Sequence, residues 1–354
     1  MIKLFRKIRK QLLGEGKTGN YFKYAIGEII LVVIGILIAL QINNWNEANS
    51  NEKRLLKIFE EIGVDLATDI RYTNDLIKSG NRIDSLSSFV LNNKLTKADY
   101  LNPINNRLFW IVLRFSPYKF RKTGFNKFKN FQGIIPEKYN KIVSVINRYY
   151  NDLGTMHDFI SERLTEQMKD RHDYLVHNFD WYHLLMKNEI TDEMIDFYVN
   201  NPIYKNWVSQ HKVNNSSGKS GSIRRIHIQA ISLILILNET LQTNYSFLNS
   251  KYSFRYKEIL NRIGKPLLKD EKDIVGLYIN EKVKLDVKVN GGYLFINNNL
   301  LIKKSKDTFK MFSVNSSSPK FESIVRRDSK GKVLGLYEIV NDSIISFVKK
   351  ITND

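Results

Sequence analysis

The sequence has no cysteine in 354 residues, which excludes disulfides, thiolate metal sites and a cysteine nucleophile. That absence leaves the compartment open, because a disulfide-free chain can sit on either side of a membrane. Fixed catalytic spacings are missing as well. There is no His-Glu-x-x-His, no Gly-x-Ser-x-Gly and no Ser-Asp-Asn of the penicillin-recognising set. Ser-x-x-Lys begins at Ser50, Ser116, Ser209, Ser216, Ser317, Ser329 and Ser346. Such scatter is what a lysine- and serine-rich chain produces by itself. Acid is in short supply, with 36 Asp+Glu against 55 Lys+Arg and a formal net charge of +19. An average of that kind fits nucleic acid or an anionic membrane, and the location of the charge decides between them. The 43% hydrophobic and 12% aromatic content excludes a disordered or collagen-like chain. At roughly 100–200 residues per domain, the length accommodates two or three units.

What is present begins with an apolar run. Ile29–Leu40 is twelve unbroken apolar residues, and Ala25–Ile42 holds only Glu28 and Gln41 as polar members. As a helix, Tyr24–Trp45 spans about 33 Å, matching a hydrocarbon core of about 30 Å. Tyr24 and Trp45 stand where interfacial aromatics belong, and Glu28 lies near enough to one end to snorkel. No small-residue cleavage site follows in QINNWNE, so the run reads as an uncleaved single-span anchor. Gly35 and Ala39 make a small-xxx-small pair able to seat a second copy, a homodimer.

Charge orients this span. Residues 1–24 carry seven basic side chains against Glu15, whereas Glu47 and Glu52 come first on the other side. The positive-inside rule then puts the N-terminus in the cytoplasm of an inner membrane and the rest in the periplasm. In MIKLFRKIRKQLL, Ile2, Phe5, Ile8 and Leu12 oppose Lys3, Arg6, Lys7, Arg9 and Lys10, a pattern for lying on the inner leaflet. A nucleic-acid arm is disfavoured, since so short a segment tied to a bilayer has little reach.

Beyond Asn46, Leu55, Phe59, Ile62, Leu66, Ile70, Thr73 and Ile77 recur at helical steps, predicting one helix continuous with the span and ending near 91–93. Further helices are expected over 108–115, from an N-cap at Thr123 to a stop at Gly133, from Pro136 to about 168, and over 173–186, 191–199 and 222–249. ISLILIL in the last is too short to span and reads as the buried centre of a bundle. Asn214–Ser222 reads as a surface loop. From Asp270 the period becomes two. VKLDVKV, the turn at Asn290-Gly291-Gly292 and the hairpin at Asp328–Gly331 predict seven or eight antiparallel strands in a small barrel or sandwich. The expectation is thus an α+β membrane protein: a basic segment 1–24, a transmembrane helix 25–45, a helical extracytoplasmic domain 46–265 and a β domain 270–354.

YAIGEIILVVIGILIALQINNWNE after a basic N-terminus resembles the opening of a Bacteroidetes family of single-span membrane proteins whose domain has no known function. Over about residues 1–250 the resemblance implies an anchor and brings no activity, cofactor or catalytic residue. IVGLYIN with FESIVRRDSKGKVLGLYEI is similar to the β-barrel appended to some penicillin-recognising serine hydrolases, and implies that appendage alone.

Four of the six histidines lie in 157–183. On a helix Asp173, His177 and Asp180 stand at i, i+4 and i+7 with His183 beyond, and carboxylates with imidazoles on one stripe suit a hard or borderline metal. A solvated face opposite Tyr174, Phe179 and Tyr182 accounts for the same pattern. Gly218-Lys219-Ser220 imitates a phosphate loop, but Val213 replaces its first glycine. Phe120, Phe125, Phe128 and Phe131 alternate with Arg121, Lys122, Lys127 and Lys129; such aromatics form a helix's core face, or else stack bases or engage anionic glycans. The expected role is a membrane-anchored extracytoplasmic binding, sensory or scaffold protein with a protein or small-ligand partner. The alternative is a tethered hydrolase or metal-dependent enzyme using the 157–183 cluster. No catalytic or cofactor-binding residue is assigned.

Overall fold

Unbroken helical spacing across the apolar run and beyond produces one helix, α1, Thr18–Leu91. A computed structural model describes residues 18–115, 117–244, 269–290, 292–297, 299–312 and 320–351, with single positions 259, 261, 263 and 267. The seven positions Leu55 to Ile77 expected on one helix face are all buried. The basic N-terminal residues Lys3, Arg6, Lys7, Arg9 and Lys10 lie outside the described residues.

The chain divides into two compact units, residues 1–57 with 131–137, and residues 58–130 with 138–354. In the first, the large apolar side chains from Ile29 to Ile42 are 46–63% exposed. Leu55 and Leu56 are buried, and Arg54 donates to the Asn51 side chain.

The second unit holds the rest of α1, then α2 (Lys97–Leu101), a 3₁₀ turn (Pro103–Trp110) and α3 (Thr123–Lys129). A short 3₁₀ turn leads into α4 (Asn140–Asn147), a π-helix (Arg148–Leu153) and α5 (Gly154–Asn178). After these come α6 (Tyr182–Lys187), α7 (Asp192–Asn200), α8 (Pro202–Val213), a second π-helix (Asn214–Lys219) and α9 (Ser220–Asn244). One core is built on aromatic residues, Tyr100, Phe109, Trp181, Phe197, Tyr198 and Tyr204 among them. Among the described residues two helices are long and apolar enough to cross a membrane, but 72% of the apolar window in Ser220–Leu241 is buried, as its reading as a bundle centre required.

Several helical expectations are corrected. The segment expected over 108–115 is a 3₁₀ turn from Pro103 to Trp110. Thr123 is the first residue of α3 and not its cap, and the helix stops at Asn130. A helix expected to end near 168 runs on to Asn178, where Phe179 turns extended (φ −142°, ψ 119°). The Phe179 ring packs 4.9 Å from Trp181 and 4.8 Å from Phe197, so core aromatics set the break. The loop expected over 214–222 is helical: Asn215 is buried and its amide donates to Gly80 O at 3.2 Å and Asp84 Oδ1 at 2.7 Å. Pairing with α1 therefore orders a segment whose composition reads as loop. No helix was expected over 202–213, although Asn201 caps α8 and Pro202 opens it.

The C-terminal strands form a closed antiparallel meander: β1 (Gly276–Ile279), β2 (Lys284–Asn290), β3 (Tyr293–Ile296), β4 (Asn299–Lys303), β5 (Thr308–Met311), β6 (Phe321–Arg327), β7 (Val333–Val340) and β8 (Ser343–Lys350). Pairing of Tyr278 with Lys350 and Ile279 with Lys349 closes it, leaving no open edge. Leu285, Val287, Leu294, Leu301, Phe309 and Val348 help fill its centre. The hairpin at Asp328–Gly331 forms as read, with Gly331 at φ +83° and Asp328 Oδ1 accepting from Lys330 N and Lys332 N. Helix α9 meets β2 and β4, where the His227 ring stacks on Phe312 at 6.2 Å.

Candidate functional site

Two aspartates break the apolar stripe of α1. Asp65 and Asp69 are one turn apart, both buried, beside Leu66 and Ile70. Carboxylates are seldom buried without partners, so each demands an account. Asp65 Oδ2 accepts from Gly124 N at 2.8 Å and so caps α3 from outside its own sequence. Gly124 must be glycine for that approach: a Cβ would lie 2.5 Å from Ile62 N. The connector 117–123 is thereby drawn across α1.

Asp69 is held less well. Arg121 N donates to Oδ1 at 3.3 Å and the Tyr149 hydroxyl to Oδ2 at 3.4 Å, both at the weak end of the range. The π-helix explains why Tyr149 arrives there with Tyr150. Successive α-helical side chains diverge by about 100°; in this widened segment both phenols are buried, their rings 4.9 Å apart. Tyr150 stacks on Phe125 at 4.4 Å. The Tyr150 hydroxyl is buried with no hydrogen-bond partner among the described residues. Burial pushes the Asp69 carboxyl up to about 7, with Asp65 adding to the rise and the Tyr118, Arg121 and Tyr149 donors opposing it. Burial likewise raises Asp65, against its bonds to the α3 backbone.

This carboxyl lines a cleft of about 890 Å³, within the size range of ligand sites. Arg71, Tyr72 and Asp75 come from α1, and Pro117, Lys119, Phe120 and Arg121 from the connector. Tyr72 is 46% exposed and stacks on buried Tyr118 with centroids 6.0 Å apart. Among the described residues, Arg71, Lys119 and Arg121 appear in none of the ion pairs. Phe120, Phe125 and Phe128 are buried; of the cations interleaved with them, Arg121 lines the cleft, beside Phe120.

His157 backs the same wall, edge-on to Tyr118 at 5.4 Å. Its Nδ1 is 2.9 Å from Ser222 Oγ and its Nε2 3.1 Å from Ser161 Oγ. Ser222 Oγ donates to Lys219 O, which makes it the acceptor of an Nδ1–H and leaves Nε2 to accept from Ser161. Burial depresses this imidazole to about 4, so it is neutral at pH 7.

Of the residues singled out from sequence, Tyr24, Glu28, Gly35, Ala39 and Trp45 all lie on α1. Nothing comes within 4 Å of a Cβ built on Gly35, and Trp45 is 64% exposed. Asp173 and His177 are on α5, whose end at Asn178 puts Asp180 and His183 beyond it, so the expected single stripe of four is not formed. His177 Nδ1 sits 2.6 Å from Asp173 O, and His183 Nδ1 2.7 Å from Asp180 O. Among the described residues, no group of three or more His, Asp or Glu side chains is gathered for a metal. The Asp69 site was missed from sequence, although acids at i and i+4 inside a core stripe were its visible signal.

The fold and site define an α+β chain with a bare apolar N-terminal helix, a helical body bearing a basic cleft over a buried carboxyl, and a closed eight-stranded barrel. A model for a family of unknown function (DUF6090) matches residues 28–124. That stretch takes in the exposed apolar helix, Asp65, Asp69 and the connector up to Gly124. No curated protein and no solved structure matches the chain.

Proposed function

We propose that this chain is a single-pass membrane protein that binds an anionic ligand in the Asp69 cleft. Its N-terminus lies in the cytoplasm, and the helical body and barrel lie on the periplasmic side of the inner membrane. The anchor rests on the large apolar side chains from Ile29 to Ile42, whose exposure to water would be costly at about 25 cal/mol per Å². The binding role rests on one observation: three cations outside the ion pairs, Arg71, Lys119 and Arg121, around a cleft with a carboxyl at its floor. Surface cations that form no ion pair among the described residues are stabilised by an incoming anion. Gly35 and Ala39 offer a contact for a second copy of the helix. By its resemblance to the barrel appended to penicillin-recognising hydrolases, the C-terminal barrel is an accessory module.

Protease treatment of spheroplasts tests the topology. Digestion of residues 46–354 in intact spheroplasts is expected, and protection until lysis would overturn the orientation. Extraction by alkaline carbonate would overturn the anchor. Titration of the detergent-solubilised chain with small anions, with Arg121→Gln as control, tests the cleft.

A further inference from the structure

The cleft's chemistry narrows its ligand, on the reading above that the cleft binds an anion. We infer that it takes an acidic saccharide, a short chain of pyranose rings bearing carboxylates. Three features carry this. Tyr72 presents a ring to solvent while Tyr118, itself buried, backs it by stacking; a rigidly supported aromatic face is the surface on which the apolar face of a sugar packs. Arg71 and Arg121 enter from two walls and have no carboxylate partner among the ion pairs of the described residues, and guanidinium matches carboxylate geometry bidentately. The Asp69 carboxyl also lines the cleft and is held only by long bonds, from Arg121 N at 3.3 Å and the Tyr149 hydroxyl at 3.4 Å, which leaves it able to accept from ligand hydroxyls. A phosphate ester fits less well, because its usual cradle of glycine-rich backbone N–H groups at a helix N-terminus is absent among the residues lining the cleft. With about 890 Å³ there is room for more than one ring.

The test uses the full chain in nanodiscs of uncharged phosphatidylcholine, titrated calorimetrically with trigalacturonate, with neutral maltotriose and with inorganic phosphate. Saturable binding of trigalacturonate is expected, with maltotriose at least about tenfold weaker, a difference of about 1.4 kcal/mol. Arg71→Gln and Arg121→Gln should each weaken trigalacturonate by about tenfold. Tyr72→Ala should weaken it and leave phosphate unchanged. All three side chains are exposed, so far-ultraviolet circular dichroism and the thermal midpoint should be the same in each variant. Equal binding of maltotriose overturns the acidic requirement. Binding of phosphate without trigalacturonate overturns the saccharide and leaves the anion-binding reading standing. Binding of none of the three overturns both.

Discussion

At the residue scale, a single glycine and a single aspartate set the geometry and the pH response of the cleft. Gly124 lets α3 lie directly on the α1 backbone, and the atom a Cβ would strike, Ile62 N, cannot rotate away. Gly124→Ala is expected to cost about 1–3 kcal/mol, read as a lowered midpoint in urea unfolding. An unchanged midpoint would mean that the two helices separate freely. Asp69 acts through titration. Its folded pKa of about 7 is above its ordinary value of 3.8, so the native state holds a proton that the unfolded chain has lost. Stability from this group is therefore full below pH 4 and falls as the pH rises through 7. Asp69→Asn removes the charge and keeps the shape. It is expected to unfold about 1–3 kcal/mol harder than wild type at pH 8, with the gap closing towards pH 5. Parallel stability curves for the two proteins would show that Asp69 is ionised throughout.

Elements differ in how openly the sequence announces them. The apolar stripe of α1, the alternation in β2 and the turn at Asp328–Gly331 are local patterns, and local sterics and solvation are enough to form them. The π-helix at 148–153 is not local: its spacing still reads as helical, and only the need to bury both Tyr149 and Tyr150 widens it. The cleft is hidden for the same reason, because Asp69, Tyr118 and Tyr149 are distant in sequence and meet only through tertiary packing. Nor does local pattern reveal the tie at one end of the barrel. Arg327 of β6 pairs with Asp273, donates from Nε to Asp307 Oδ1 at 2.8 Å, and reaches Gly331 O at 2.9 Å. Its hydrogen bonds hold Asp273 below the usual carboxylate range, with burial opposing them. Arg327→Gln breaks charge-assisted bonds at partly exposed carboxylates and should lower stability by about 1–2 kcal/mol at pH 7. Because the carboxylate pKa is depressed in the folded state, the wild-type advantage should fade as the pH falls below about 4. Thermal melts at pH 7 and pH 3 check both parts, and an equal gap at the two values would exclude the ion pairs as its source.

For the whole molecule, the +19 net charge divides by place and so changes meaning. Residues 1–24 hold seven basic groups against one acid beside the apolar run, so the densest positive charge is local to that end of the chain. That run adds nothing to a protein core, since its large side chains from Ile29 to Ile42 stay 46–63% exposed. Folding energy in the second unit comes from elsewhere: the buried face of α1 beyond Lys57, the aromatic core and the closed barrel. A chain beginning at Asn46 should therefore leave the membrane fraction and remain folded. Its near-ultraviolet circular dichroism should match that of the full-length protein in detergent, less the contribution of the aromatic residues removed, Trp45 among them. Its thermal midpoint should shift by no more than about 2 °C, under about 1.5 kcal/mol for a chain of this size. Loss of the aromatic near-ultraviolet signal on truncation would mean that residues 18–45 are part of the fold, in which case their exposed side chains mark a contact with another protein surface and not with lipid.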